Sequence, residues 1–527
     1  MYIRIEIGDF GRLKTVKTKI PTHREKKASS KRQFRSMLSR KFYSAVVTSS
    51  LAIAGLTIPP QSRQPANAAT NAYCHLDSDL VQQKERLLTS SLAGDSEAKQ
   101  NYQSTIAQHA AIMEQCRRQN WPQEQAIWLR LYPCDASPGS IDYVLDRIVN
   151  QGYNQVYLEV FYDSQVLLPP ADNPTPWIPV VRSPGGDNVD LLRQTIKKGH
   201  ERGLKVYAWL FTMNFGYNYA QLPDRQNALA RNGEGENSLT FVSDRSQAFI
   251  DPYNRQVQED YYRLVNTILE RQPDGILFDY IRYPRGSGDR SLVTNVKDLW
   301  IYSPASLQTL YNRATNQKGK ALIQQYVDRG KITLNDIKNI DSQYPDEAEP
   351  SWQGRSNSNS KTKDLRDRLL RLRSDLWFFT VAHAAQGVID FLSFAAAPAR
   401  QQNIPAGGVF FPDANRLVGN TGFDSRLQAW DKFPSFLEWH PMAYSVCNGT
   451  HCIVDEVKTV IERAPQGTKV TPALAGVWGQ EYRKHPSLEV QMAALRKAFP
   501  QLNSVSHFAY SWQEPEIDRQ RKFCNLQ

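Results

Sequence analysis

Eight short apolar runs, each followed by a stretch with helical spacing, succeed one another from residue 126 to the C-terminus. Parallel strands cannot be joined by a tight turn. They need a crossover of a dozen or more residues, and a helix supplies it. The runs are Ala126–Tyr132, Asn154–Phe161, Leu204–Phe211, Gly275–Tyr280, Gly408–Phe411, Phe436–Tyr444, Lys469–Leu474 and Val505–Tyr510. Helical spacing falls at Ser140–Asn150, Asp190–Arg202, Asn254–Arg271, Asp364–Leu392, Ser425–Lys432, Val454–Arg463, Leu488–Phe499 and Glu516–Cys524. This order predicts an α/β chain whose residues 126–527 form a (β/α)8 TIM barrel. A doubly wound open sheet competes with it, but the Gly-x-Gly-x-x-Gly turn that such a sheet uses for dinucleotides is missing after the first run.

A long polar interval, 285–363, separates the fourth strand from its helix. It holds a helical piece near Ser306–Arg329 and the low-complexity stretch Ser356–Lys363. Such a connection leaves from the C-terminal face of a barrel and is expected to lie over its mouth. Before the barrel, residues 69–125 form an N-terminal helical segment. Two helices over 76–120 are broken at Gly94-Asp95-Ser96, with Ser96 as the expected N-cap, and end at Trp121-Pro122.

The formal charge of +11 suggests nucleic acid or an anionic membrane, but its location removes that reading. Residues 1–41 carry 13 Lys and Arg against Glu6, Asp9 and Glu25, and the body after Ala68 is formally neutral. No nucleic-acid partner is expected. The basic run ends at Arg40-Lys41, an apolar stretch follows from Phe42 to Ile58, and Ala66-Asn67-Ala68 is a small-residue site. These parts predict a signal peptide over 1–68, cleaved after Ala68, with only transient membrane contact and a periplasmic or extracellular product. An uncleaved N-terminal anchor is the alternative. Ser30-Lys31-Arg32-Gln33-Phe34 resembles a twin-arginine signal with one arginine replaced by lysine.

Six cysteines follow the leader, an even number that favours disulfides in an exported chain. Cys74 and Cys116 stand at the adjoining ends of an antiparallel helix pair. Cys447 and Cys452 bracket the turn-rich Asn448-Gly449-Thr450-His451. Cys134 and Cys524 pair by subtraction. A zinc site is the other reading, with no Cys-x-x-Cys pair to support it. Neither a phosphate loop nor a serine-nucleophile elbow is present, and no cofactor or metal is expected.

The stretch Phe249-Ile250-Asp251-Pro252-Tyr253-Asn254-Arg255-Gln256-Val257 precedes a helix. After it comes Asp274-Gly275-Ile276-Leu277-Phe278-Asp279-Tyr280-Ile281-Arg282-Tyr283-Pro284. Together they resemble the glycosyl-hydrolase-like family 10 proteins, exported bacterial barrels distinct from the true xylanases. The resemblance implies a TIM barrel, a carbohydrate substrate and hydrolysis of a glycosidic bond. Members often place a second acid directly after the strand-four aspartate, where this chain has Tyr280. The variant Phe-Asp-Tyr-Ile-Arg-Tyr-Pro is similar to a neighbouring group of glycosidases of the same fold. A carbohydrate-binding or envelope-structural barrel without turnover is therefore the alternative function.

Catalytic groups of a barrel sit at the C-terminal ends of its strands. That rule selects Asp279 as nucleophile or base, Asp413 as the first choice for the acid, and Glu159 and Glu514 as reserves. Arg282, Asn214, Trp209, Tyr444, His440 and Trp512 are the candidate substrate-binding residues, since aromatic faces stack on sugar rings while polar edges take the hydroxyls. Asp163 lies beside Glu159 at the end of strand two, Glu438 lies on strand six, and Glu481 follows strand seven. Each candidate has a structural reading beside the functional one. Glu159 would pair with Arg130 inside the barrel. Asp413 would cap a loop. His440 would be a hydrogen-bonded core residue. Glu514 would cap the last helix ahead of Pro515. Arg282 would pair with a carboxylate such as Asp279.

Overall fold

The structure, a computed structural model, describes residues 73–355 and 364–525. The leader 1–68 and the stretch Ser356–Lys363 lie outside the described residues. Eight strands form the barrel: β1 (Glu124–Leu129), β2 (Gln155–Tyr162), β3 (Lys205–Phe211), β4 (Gly275–Asp279), β5 (Ala406–Phe410), β6 (Glu438–Ala443), β7 (Ala473–Ala475) and β8 (Ser504–Phe508). Neighbours pair in sequence order and all in parallel, and β1 pairs with both β2 and β8, which closes the sheet. The open-sheet alternative is thereby excluded.

The strands are buried along nearly their whole length, one face against the helices and the other inside the barrel. Trp128, Tyr157, Tyr207, Trp209 and His440 are stacked edge-on or tilted within the interior, so it is a packed core. Room for these rings comes from small partners. A β-carbon on Gly275 would stand 2.2 Å from the Tyr207 ring. The β2–β3 register shifts between Glu159 and Phe161, so Glu159 points inward while Phe161 turns out against Trp177 and Tyr261. Strict alternation would have put both on one face.

The helices used below are α1 (Ser78–Leu92), α2 (Ser96–Gln119), α3 (Ser140–Asn150), α4 (Leu191–His200), α5 (Arg255–Leu269), α6 (Pro304–Asn312), α7 (Gln317–Arg329), α8 (Leu334–Gln343), α9 (Leu365–Gln401), α10 (His451–Arg463), α11 (Leu488–Ala498) and α12 (Pro515–Lys522). Several depart from expectation. Asp95, not Ser96, caps α2, because its carboxylate accepts from the backbone N–H of Glu97 and Ala98. The single helix expected near Ser306–Arg329 is two, followed by a third after Gly330 ends α7 with a φ of 75°. Helix α9 runs on through Pro398 to Gln401. It is long and apolar enough to cross a membrane, yet 72% of its apolar window is buried against the fold.

No α-helix forms over Ser425–Lys432. Leu427 has a φ of 45°, the Gln428 side chain donates to the Ile281 carbonyl and accepts from Phe411 N–H, and Trp430 is fully buried. These anchors hold the segment to the barrel as a loop, with only a 3-10 turn at Trp430–Lys432. Strand β8 ends at Phe508, and Tyr510 opens a short helix instead of extending it.

Three disulfides link Cys74–Cys116, Cys134–Cys524 and Cys447–Cys452. The α1–α2 hairpin docks on α3 and α4 through a buried polar cluster. Tyr102 and Arg202 both donate to Asp146, and Lys84 donates to Asn150. The interval after β4 packs on loops of the C-terminal face. Tyr302 N–H donates to the Arg231 carbonyl, Gly233 N–H to that of Lys297, and Leu292–Val293 pairs with Gly422–Asp424.

Candidate functional site

Asp279 is the last residue of β4 and is 7% exposed. Its Oδ2 accepts from Trp209 Nε1 at 3.1 Å, and its Oδ1 from the backbone N–H of Tyr280 at 2.6 Å. The second bond requires the chain to turn at once, and Tyr280 has a φ of 53°, an unusual conformation for a bulky residue. Burial raises the Asp279 carboxyl to about 6, against the lowering by the Tyr280 N–H, the Arg282 charge and Trp209.

Glu159 is the second carboxyl of the mouth. It is 1% exposed and held by both Nε and Nη2 of Arg130, the latter at 3.0 Å. The pairing expected for a barrel-interior acid is thus present. Burial raises Glu159 to about 7, opposed by Arg130 and reinforced by the charges of Asp163 and Asp279. Asp163, just beyond β2, is raised for the same reason, burial first.

Tyr444 follows β6, and its hydroxyl is raised well above the usual phenol range by burial, with the Asp279 charge adding to it. Its ring leads through Phe508, 5.8 Å away, to Trp512 at the β8 side of the mouth. Trp128 and Trp209, edge-on at 4.8 Å, form the floor beneath. The structure therefore brings together Asp279, Glu159, Trp209, Tyr444 and Arg282, with Trp512 at the rim. Trp128 and Arg130 belong to the same group, and their alternation in the first apolar run is the signal that marks both as inward-facing.

The remaining candidates stand elsewhere. Asp413 has a side chain 40% exposed and pairs with Arg426 at 3.0 Å; its charge is felt at Glu456. Glu514 occupies the N-cap position of α12, and its carboxylate accepts from Arg147 and Gln151 of the outer layer. His440 is fully buried low in the barrel, 3.4 Å from Glu438 and edge-on to Tyr157. Glu438 itself pairs with Lys469, which also holds Glu124, so this group closes the bottom of the barrel. Asn214 pins its own loop, its Oδ1 accepting from Gly216 and Ala248 N–H. Arg282 does not pair with Asp279. Its Nη1 donates to the Tyr283 carbonyl at 3.0 Å. Among the described residues no cluster of three or more His, Cys, Asp or Glu could hold a metal ion.

Solved structures with similar folds include a β-galactosidase from the psychrophilic Marinomonas ef1, at 12% identity over 76% of this chain and 59% of that one, TM-score 0.44. A GH18 chitinase from Pseudoalteromonas aurantia is 10% identical over 76% of this chain and 100% of that one, TM-score 0.33. A hypothetical protein from Ruminiclostridium thermocellum ATCC 27405 is 18% identical over 30% of this chain and 77% of that one, TM-score 0.23. No curated protein matches the chain. Residues 138–336, from α3 through β4 and into the interval beyond it, match the model of Glycosyl hydrolase-like 10.

Proposed function

We propose that the protein hydrolyses a glycosidic bond outside the cytoplasm, with Asp279 and Glu159 as the paired carboxyls. One observation carries the reading: two buried acids share the mouth of the barrel, and burial raises both, Glu159 to about 7 and Asp279 to about 6. Glycoside cleavage needs one carboxyl protonated toward the leaving oxygen and one ionised as nucleophile or base. Groups whose environments separate their affinities for a proton divide those roles. Asp279, losing its proton first, is the nucleophile or base, and Glu159 is the acid. Asp413 is replaced in that role because it answers Arg426 at the exposed rim.

The working form has Asp279 ionised and Glu159 protonated. Activity should therefore rise as pH passes about 6 and fall as it passes about 7, giving a narrow bell. Hydrolysis of a glycan panel across pH 4–9 measures it. A profile flat from pH 5 to 8 would sink the assignment. The binding-protein reading draws on the engagement of Glu159 by Arg130, which leaves that acid already satisfied. Retention of a glycan without release of product would favour it.

The three disulfides suit an oxidising compartment. N-terminal sequencing of the exported form should begin at or near Ala69. A mature chain starting before Phe42 would instead favour an anchor.

A further inference from the structure

We infer that Arg282 is a recognition site for a carboxylate on the substrate, so that the glycan cleaved here carries an acidic sugar next to the scissile bond. The inference rests on the hydrolase reading of the same mouth. It begins from a contrast among the buried arginines. Arg202 is held by Asp146 and Asp142, Arg271 by Asp190 and Asp172, Arg426 by Asp424 and Asp413, and Arg521 by Asp135 and Asp518. Arg117 donates to the carbonyls of Gly152 and Pro122. Arg282 is 8% exposed, yet among the described residues it meets no carboxylate, and its one side-chain hydrogen bond goes to the Tyr283 carbonyl. A guanidinium has five N–H donors, and the Tyr283 carbonyl engages Nη1 alone.

Its position is fixed. The guanidinium lies against the Tyr280 ring at 4.7 Å and the Phe249 ring at 5.3 Å. Both rings lie to one side of it, their centroids 6.1 Å apart, and the fork of N–H donors beyond the Tyr283 bond has no partner among the described residues. A planar carboxylate fits such a fork with two parallel bonds. The charges of Arg426 and Arg285 reach Arg282, as does the opposite charge of Asp279. Arg426 Nη1 is itself buried without a partner among the described residues. Asp279 lies three residues and one turn of chain away, so the acidic sugar would sit beside the bond to be cut.

The test uses the full mature protein and matched glycans: oligogalacturonides and other uronate oligosaccharides, the same compounds after carboxyl reduction, and sulfated oligosaccharides with their desulfated forms. Calorimetric titration should show each carboxylated member binding about 10- to 100-fold tighter than its reduced form. Arg282→Gln should abolish that ratio, and Arg282→Lys should lose most of it, because a lysine keeps the charge and not the fork. The ligand contrast needs no variant, so a misfolded Arg282→Gln leaves it decisive. Equal affinity for carboxylated and reduced members overturns the inference, and turnover of both would leave the hydrolase reading standing. Preference for sulfated members alone overturns the carboxylate assignment. A carboxylate preference that disappears in Arg282→Gln, with no product from any member, supports the recognition site and sinks hydrolysis.

Discussion

Asp279→Asn is expected to lower glycan hydrolysis by about 10²- to 10⁴-fold while the melting transition stays close to that of the parent. The substitution keeps volume and removes the charge. The amide oxygen can still accept from one of the two donors that now face the carboxylate, Trp209 Nε1 or the Tyr280 N–H, and its NH2 must face the other. A small local cost follows, without a cavity. Turnover falls because neither a nucleophile nor a base remains at the end of β4. Single-turnover rates at pH 6.5, where the parent should be most active, are the measurement. Near-parental turnover would refute the role. Loss accompanied by a collapsed melting transition would mean that the carboxylate serves the fold.

Arg521→Met is expected to cost about 3–5 kcal/mol of stability, because it leaves a buried charge without its partner. Arg521 is fully buried, and its Nε and Nη2 reach the two oxygens of Asp135 at 2.8 and 2.7 Å. Asp135 is 1% exposed and keeps only the Tyr132 N–H once the guanidinium is gone. The pair ties the C-terminal helix α12 to the connection after β1, beside the Cys134–Cys524 disulfide. Arg521 Nη2 also donates to the carbonyl of Arg130, whose side chain holds Glu159. The clamp therefore also steadies the acid at the mouth. Chemical denaturation should show the midpoint falling with an unchanged slope. The loss and that of the disulfide should not add, since both fasten the same helix. A change below about 1 kcal/mol would show that Asp135 finds water or another donor.

Much of this arrangement is legible along the chain, and the parts that are not share a cause. The alternation of apolar runs and helical spacing determines the barrel, because each strand and its crossover are local and buried faces must be apolar. The inward direction of Glu159 and its pairing with Arg130 follow from alternation on adjoining strands. Cys74–Cys116 and Cys447–Cys452 follow from a helix hairpin and a short turn. Asp279 is marked as a mouth residue by ending its strand. Which second carboxyl stands with it is a different matter, since that depends on register and on what each side chain meets across the barrel. Asp413 and Glu514 also follow strands, but Arg426 takes the first and Arg147 with Gln151 the second. Leu427 and the Gln428 anchors unwound a segment whose spacing reads as a helix. Arg282 stands beside Asp279 without a carboxylate partner among the described residues because two rings and a backbone carbonyl, all placed by the folded loops, hold it there. Local pattern thus determined the elements and the strand-end acid, while the closure of the barrel decided which charges meet, because those contacts join residues far apart in the chain.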